Sequence, residues 1–323
     1  MTQDRQALES QPKVSDRALK RLVMWGGIAL VILFATFCVI YYLGQHKNMG
    51  PSMVDRQITA GEAAVRADPN NIGDRLSLAQ LYAASNRQAD ALQQYTVVLK
   101  ALPKNEAALF GKASILFAQN KLNEARDAYN ALITVAATGE MAGADPKLQG
   151  ARYFLAVIAY KQSDFAGAAG QVKEALRLDP TDSDAWYLTA QVAMKQNAPQ
   201  SAAAAVEKAL MFVPSGWCDP YALAINAYTQ LKQASQLAFA QARQSMCNGD
   251  VAAATTGFQS VANGGDKTLA TKALLQLAAV SINAGDTNTA RGWLNKILAI
   301  DPKNAAAKAG LTQLGTPSPS ATK

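Results

Sequence analysis

Hydrophobic residues follow two different patterns along this chain. Between Leu22 and Leu43 they run continuously: LVMWGGIALVILFATFCVIYYL contains no charged residue, and the hydrocarbon core of a bilayer requires roughly 20 apolar residues in a helix. Trp25 near one end and Tyr41 with Tyr42 at the other suit the headgroup level, where amphipathic rings settle. From Met53 onward the apolar residues recur instead at the three- and four-residue spacing of amphipathic helices. A short phrase closes successive stretches, as VRADPNN, LKALPKN, LRLDPTD, LMFVPSG and LAIDPKN. Its prolines stand at 69, 103, 180, 214 and 302, so that 103 − 69 and 214 − 180 both equal 34. A fixed period of this length predicts stacked helical repeats, with proline blocking continuation of the helix before it. Residues 53–67 read as a leading helix and Ala305–Leu314 as a trailing one.

Composition agrees with an all-α chain. Half of the 323 residues are hydrophobic but only 7% are aromatic, because Ala, the strongest helix former, supplies much of the apolar count. The flanks of the apolar stretch are unequal: Arg5, Lys13, Arg17, Lys20 and Arg21 precede it, whereas Lys47 and Arg56 follow. Basic residues stay on the cytoplasmic side, so the N-terminus is expected inside and everything after Gly44 exported, across a bacterial cytoplasmic (inner) membrane. A cleaved signal peptide would have a shorter apolar region and small residues at its cleavage site, which Gly44-Gln45-His46 does not offer. The expected organisation is a disordered tail at 1–21, a transmembrane helix at 22–43, a linker at 44–52, repeats over 53–314 and a second tail at 315–323. An insertion near 137–147 and an irregular helix pair near 218–247 interrupt the repeats.

The residues inside each period carry a further pattern. Leu78-Ala79 with Tyr82 and Ala91 with Tyr95 precede Pro103; Leu109, Ala113, Leu116, Ala125 and Tyr129 follow in register; then Leu155-Ala156, Ala168 and Val172 precede Pro180. Trp186, Ala190, Ala202 and Val206 lead to Pro214, and after an offset Ala242, Ala254 and Phe258 suggest a fifth repeat and Leu277-Ala278, Ala290 and Leu294 a sixth. This resembles the tetratricopeptide repeat (TPR) family, whose helix–turn–helix unit shows W-x2-L-G-x2-Y, A-x3-F and P. The resemblance implies an all-α superhelical solenoid of about six repeats whose first helices line a concave, peptide-holding groove. Carried over position by position, it places Phe110, Tyr153, Tyr187 and Phe239 in one inward row and Phe117, Tyr160, Met194 and Met246 in a second. Aromatic and Met side chains suit an apolar or amphipathic polypeptide. The Lys and Asn of the family's chaperone-binding clamp are replaced by Leu76 and Gln80. The layout of one span followed by exported repeats is similar to the TPR subunit of the cytochrome c maturation haem lyase and to a translocon-associated periplasmic TPR protein. What this implies is a scaffold for another polypeptide; the alternative is a structural subunit of an envelope secretion or pilus-assembly machine, with nothing held in the groove.

Other chemistry is not legible. Gly111-Lys112-Ala113-Ser114 has Glu106 where a phosphate loop needs its first Gly. With one His and three Cys, no two of the Cys close in sequence, a four-ligand Cys/His zinc site is not expected. With a net charge of +7 and no basic run, the expectation is no enzyme, no cofactor, no metal, no nucleic acid and no small-molecule substrate. Cys218 and Cys247 flank two helices, about Pro220–Lys232 and about Ser235–Met246, joined by a very short connection. Helices of similar length running out and back return the chain to its start, so a disulfide is expected there, and an exporting compartment would preserve it.

Overall fold

The helical spacing read from the sequence resolves into helices and the turns between them. The computed structural model describes residues 16–47, 52–137, 145–213 and 216–315, and among them it contains no strand. The polar residues 1–15, the linker positions 48–51, residues 138–144 of the expected insertion, Pro214 and residues 316–323 of the tail lie outside the described residues. Two compact units divide the chain, Met1–Arg87 and Gln88–Lys323.

The first unit holds α1 (Asp16–Lys47), α2 (Met53–Ala67) and α3 (Ile72–Ala84). Helix α1 overruns the apolar stretch at both ends, so residues 16–21, expected to be disordered, are helical. Ala18, Leu19, Lys20 and Arg21 are good helix formers, and adding a residue to an existing helix costs far less than nucleating one. Its described apolar side chains are bare, with Leu30 and Phe34 each 70% exposed, and Thr36 turns its hydroxyl onto the Ile32 and Leu33 carbonyls. Among the described residues no helix is long and apolar enough to cross a membrane. Helix α2 starts in a capping box between Ser52 and Asp55. It packs on α3, where a Cβ on Gly61 would lie 3.2 Å from the Leu78 side chain, and Glu62 accepts from the Tyr82 hydroxyl at 2.8 Å.

The second unit runs through α4 (Gln88–Ala101), α5 (Glu106–Ala118), α6 (Leu122–Ala136), α7 (Pro146–Lys161), α8 (Phe165–Leu178), α9 (Ser183–Lys195) and α10 (Pro199–Phe212). It continues with α11 (Asp219–Gln230), α12 (Ala234–Cys247), α13 (Val251–Ala262), α14 (Lys267–Asn283), α15 (Thr287–Ile300) and α16 (Ala305–Gln313). Two kinds of turn alternate. After α5, α7 and α9 the chain passes through a left-handed residue, Asn120, Ser163 or Asn197, at φ of 58, 62 and 56°. The next amide reaches back five residues, as Lys121 N to Leu116 O and Asp164 N to Ala159 O, which satisfies the helix end in a Schellman motif. After α8 the Asp-Pro phrase serves. Asp179 closes the helix and its carboxylate accepts from the Thr181 amide, while Asp182 caps α9 through the Ala185 amide.

Within each hairpin the helices meet at small residues. Ala113 and Ala125 share one buried cluster, Ala156 and Ala168 a second, Ala190 and Ala202 a third, and none of the six has any exposed surface. Gly111 extends this logic on α5: a Cβ there would collide with the Tyr95 ring of α4. Tyr129 is fully buried, stacked on Phe154 at 5.4 Å, and its hydroxyl meets Ser114 Oγ at 3.2 Å.

The alternation breaks at α12. The turn before it, through Lys232 at φ 55°, and the turn after it, through Gly249 at φ 82°, are both of the Schellman type that follows a first helix. Helix α12 therefore closes a hairpin with α11 and opens another with α13. Its contact with α14 repeats the first-helix contacts of α5 with α7, α7 with α9 and α9 with α11. The Cys218–Cys247 disulfide ties the start of α11 to the end of α12, with Cα atoms 5.6 Å apart. Closing a loop of 29 residues stabilises by about 3–4 kcal/mol in the chain-entropy model. A non-reduced digest is expected to yield the two cysteine peptides linked, and reduction should lower the denaturant midpoint. Two free thiols in protein isolated under alkylating conditions would contradict the pairing.

Candidate peptide-binding face

The buried alanines fix where the neighbouring side chains point. Three residues before Ala113, Ala156, Ala190 and Ala224 stand Phe110, Tyr153, Tyr187 and Tyr221; four residues after stand Phe117, Tyr160, Met194 and Tyr228. A spacing of seven keeps each pair on one side of its helix. Phe110, Phe117, Tyr153, Tyr160, Tyr187 and Met194 are all half-buried.

Their environments differ along the row. Phe110 lies edge-on to Tyr129 and Phe154, with Gly150 of α7 giving the ring room. Phe117 tilts against Phe154 at 5.2 Å, with the Lys161 ammonium 5.1 Å from its centroid. On α5 the rings are thus committed to holding α5, α6 and α7 together. Further on, polar groups join. Tyr153 is pushed up to about 12 by burial and then by Asp184 and Asp182, the first carboxylates of α9. Tyr187 packs edge-on to Trp217 at 5.0 Å, and burial followed by Asp219 of α11 raises it too. Each tyrosine of one first helix therefore sits near the acidic start of the next. Tyr160 meets Phe165, and Met194 joins the cluster between α9 and α10. Lys161 and Lys195, at the opposite helix ends, are exposed.

Phe239 and Met246 stand elsewhere. Helix α12 carries them, and Phe239 tilts against Phe258 of α13 at 5.8 Å. The position that continues the row on α11 is Tyr221, which the sequence reading passed over although 187 + 34 = 221. Tyr221 is buried, and its hydroxyl accepts from Arg243 Nε at 3.0 Å and from Nη2. Two cavities of about 460 and 360 Å³ meet at Leu210, Tyr221 and Arg243. Among the described residues no group of three His, Cys, Asp or Glu is placed to hold a metal ion, and Asp182 is engaged as a helix cap.

The buried hydroxyls set a pH response. Tyr129 is pushed up to about 12 by burial, like Tyr153, and burial raises Tyr228 further. In the unfolded chain these groups ionise near 10. Their neutral forms contribute stability fully below that pH, and the contribution is lost as pH rises from about 10 toward 12. The urea midpoint is expected to fall across that window, and Tyr153→Phe should shrink the fall; a midpoint flat from pH 9.5 to 12 would contradict it.

Comparison with known proteins adds the family. Residues 76–142 and 151–216 match the tetratricopeptide repeat model, and no curated protein sequence matches the chain. Among solved structures, MamA resembles it with a TM-score of 0.48 and 18% identity over 54% of this chain and 96% of its own. YrrB, a TPR protein with an unusual peptide-binding site, gives 0.45 and 14% over 77% and 96%. The Cut9–Hcn1 hetero-tetramer of the APC/C gives 0.47 and 16% over 81% of this chain, which spans only 46% of that one. Over residues 76–142 and 151–216, less than half of its length, the chain is similar to tetratricopeptide repeats, modules that generally serve as protein–protein interaction scaffolds.

Proposed function

We propose that this chain is a membrane-anchored TPR scaffold that holds an apolar or amphipathic segment of another polypeptide on the face formed by α7 and α9. The observation that carries this reading is the pair Tyr153 and Tyr187, half-buried on successive first helices with carboxylates close to both hydroxyls. Rings so placed offer large contact area at small entropic cost, and their hydroxyls orient a ligand's amides or basic groups. The anchor is the whole stretch Leu22–Leu43, about 33 Å as helix, and the excess of basic residues before it supports an exported repeat domain. A newly exported polypeptide is the partner that the resemblance in layout implies. The packing of Phe110 and Phe117 into the helix interfaces favours a second reading on its own terms, an envelope scaffold in which the aromatic row is structural.

Two experiments test the proposal. Tyr153→Ala with Tyr187→Ala should cut in-cell crosslinking to the partner at least about 30-fold, the measure of a 2 kcal/mol anchor, while circular dichroism stays helical. Unchanged recovery supports the scaffold reading instead. For topology, Ser10→Cys and Ser52→Cys are placed singly in a Cys38→Ser background. A membrane-impermeant maleimide applied to intact spheroplasts should label only the second; labelling of the first alone reverses the orientation.

A further inference from the structure

Open space lies beside the helix at which the phase changes. Helix α12 serves both α11 and α13, and the space bounded by α10, α11, α12 and α14 stays open as the two cavities that meet at Arg243. The smaller cavity is walled by Leu210, Ala224, Phe239, Ala240 and Leu269; the larger runs past Trp217 to the Cys247 end of the disulfide.

Arg243 is the chemical feature of this space. Its Nε and Nη2 both donate to the Tyr221 hydroxyl, and the guanidinium carbon lies 5.4 Å from the centroid of that ring. It makes no ion pair with any described residue, and its Nη1 has no protein acceptor among them. Among the described residues, Arg243 is the sole charged group lining the larger cavity. Around the smaller one stand Arg243 and Lys272 against Glu207, whose carboxylate already accepts from the Tyr228 hydroxyl at 3.0 Å. The lining thus carries a surplus positive charge above an apolar floor, with a planar fork oriented by a buried phenol. Guanidinium forks of this kind recognise carboxylates by paired hydrogen bonds, and cavities of this size suit small apolar ligands held by few polar groups.

We propose that this space is a binding site for a carboxylate borne on an apolar group of one or two side chains' volume, with Arg243 as its anchor and Tyr221 as the residue that positions Arg243. A free small organic acid and an acidic side chain of a bound polypeptide share that chemistry. The proposal stands on α10–α14 alone and does not depend on the function proposed for Tyr153 and Tyr187.

Calorimetry on the full-length chain in dodecyl maltoside tests it with two pairs of probes: 4-phenylbutyrate with its neutral amide 4-phenylbutyramide, and the peptide acetyl-Ala-Phe-Glu-Leu-amide with its Gln counterpart. At least one acid should bind tenfold or more tighter than its neutral partner. Preference for 4-phenylbutyrate identifies a free acid as the ligand, and preference for the Glu peptide alone identifies a polypeptide side chain. Arg243→Gln should abolish the preference, and Arg243→Lys should keep part of it. Acid and neutral probes that bind wild-type protein equally, or not at all, overturn the proposal without recourse to any variant. So does an undiminished preference in a folded Arg243→Gln protein.

Discussion

Everything in the second unit follows from how closely two helices can approach when only a methyl group lies between them. Ala113 on Ala125, Ala156 on Ala168 and Ala190 on Ala202 are sealed from solvent, and a larger residue at any of them would force the hairpin apart. The crossing sets the rotation of each helix about its own axis. That rotation in turn decides that residues three before and four after each first-helix alanine share a face. The aromatic row is thus a geometric consequence of the alanine contact, and its composition is the part left open to function. The turns cooperate, because a left-handed residue reverses the chain within three residues and keeps the crossing near the hairpin end.

Aromatic side chains at equivalent positions then divide their surface between packing and exposure in proportions set by the next helix. Phe110 and Phe117 meet Phe154 and are largely spent on holding α5 to α7. Tyr153 and Tyr187 have hydroxyl pKa values raised first by burial and then by the carboxylates that open α9 and α11. At α11 the row ends in Tyr221, buried beneath Arg243. One repeated position therefore grades from ring-packed to acid-flanked to cation-holding along a single stack. No property of the individual side chain produces this gradient; the sequence of neighbours does.

The phase change at α12 joins the two features that set this chain apart from a uniform repeat. A helix that must present one face to α11 and another to α13 has buried small residues on both, Ala240 and Ala242. A Cβ on Gly257 of α13 would lie 2.8 Å from the Ala242 Cβ, so that second crossing is as close as the regular ones. Helices α11 and α12 lack the sealed alanine pair of the other hairpins, since Gln236 stands 34 residues after Ala202. The disulfide at their open ends supplies the missing constraint.

The helices and much of the turn chemistry were legible in the amino-acid order, because they depend on contacts a few residues apart. The Asp-Pro phrase, the Ala-x3-aromatic spacing and Asn86, Asn120, Gly249 and Gly285 at left-handed positions are local signals with local causes. The pairing of Cys218 with Cys247 was an expectation of the same kind, since helix lengths and a short connection sufficed to frame it. Lys232 at φ 55° carried no such signal, and with it went the phase of α12, the place of Tyr221 in the row and the displacement of Phe239. Which helix serves two partners is decided by the competition of whole faces for burial. That competition takes place between residues far apart in the chain, where periodicity, a property of single segments, has no voice.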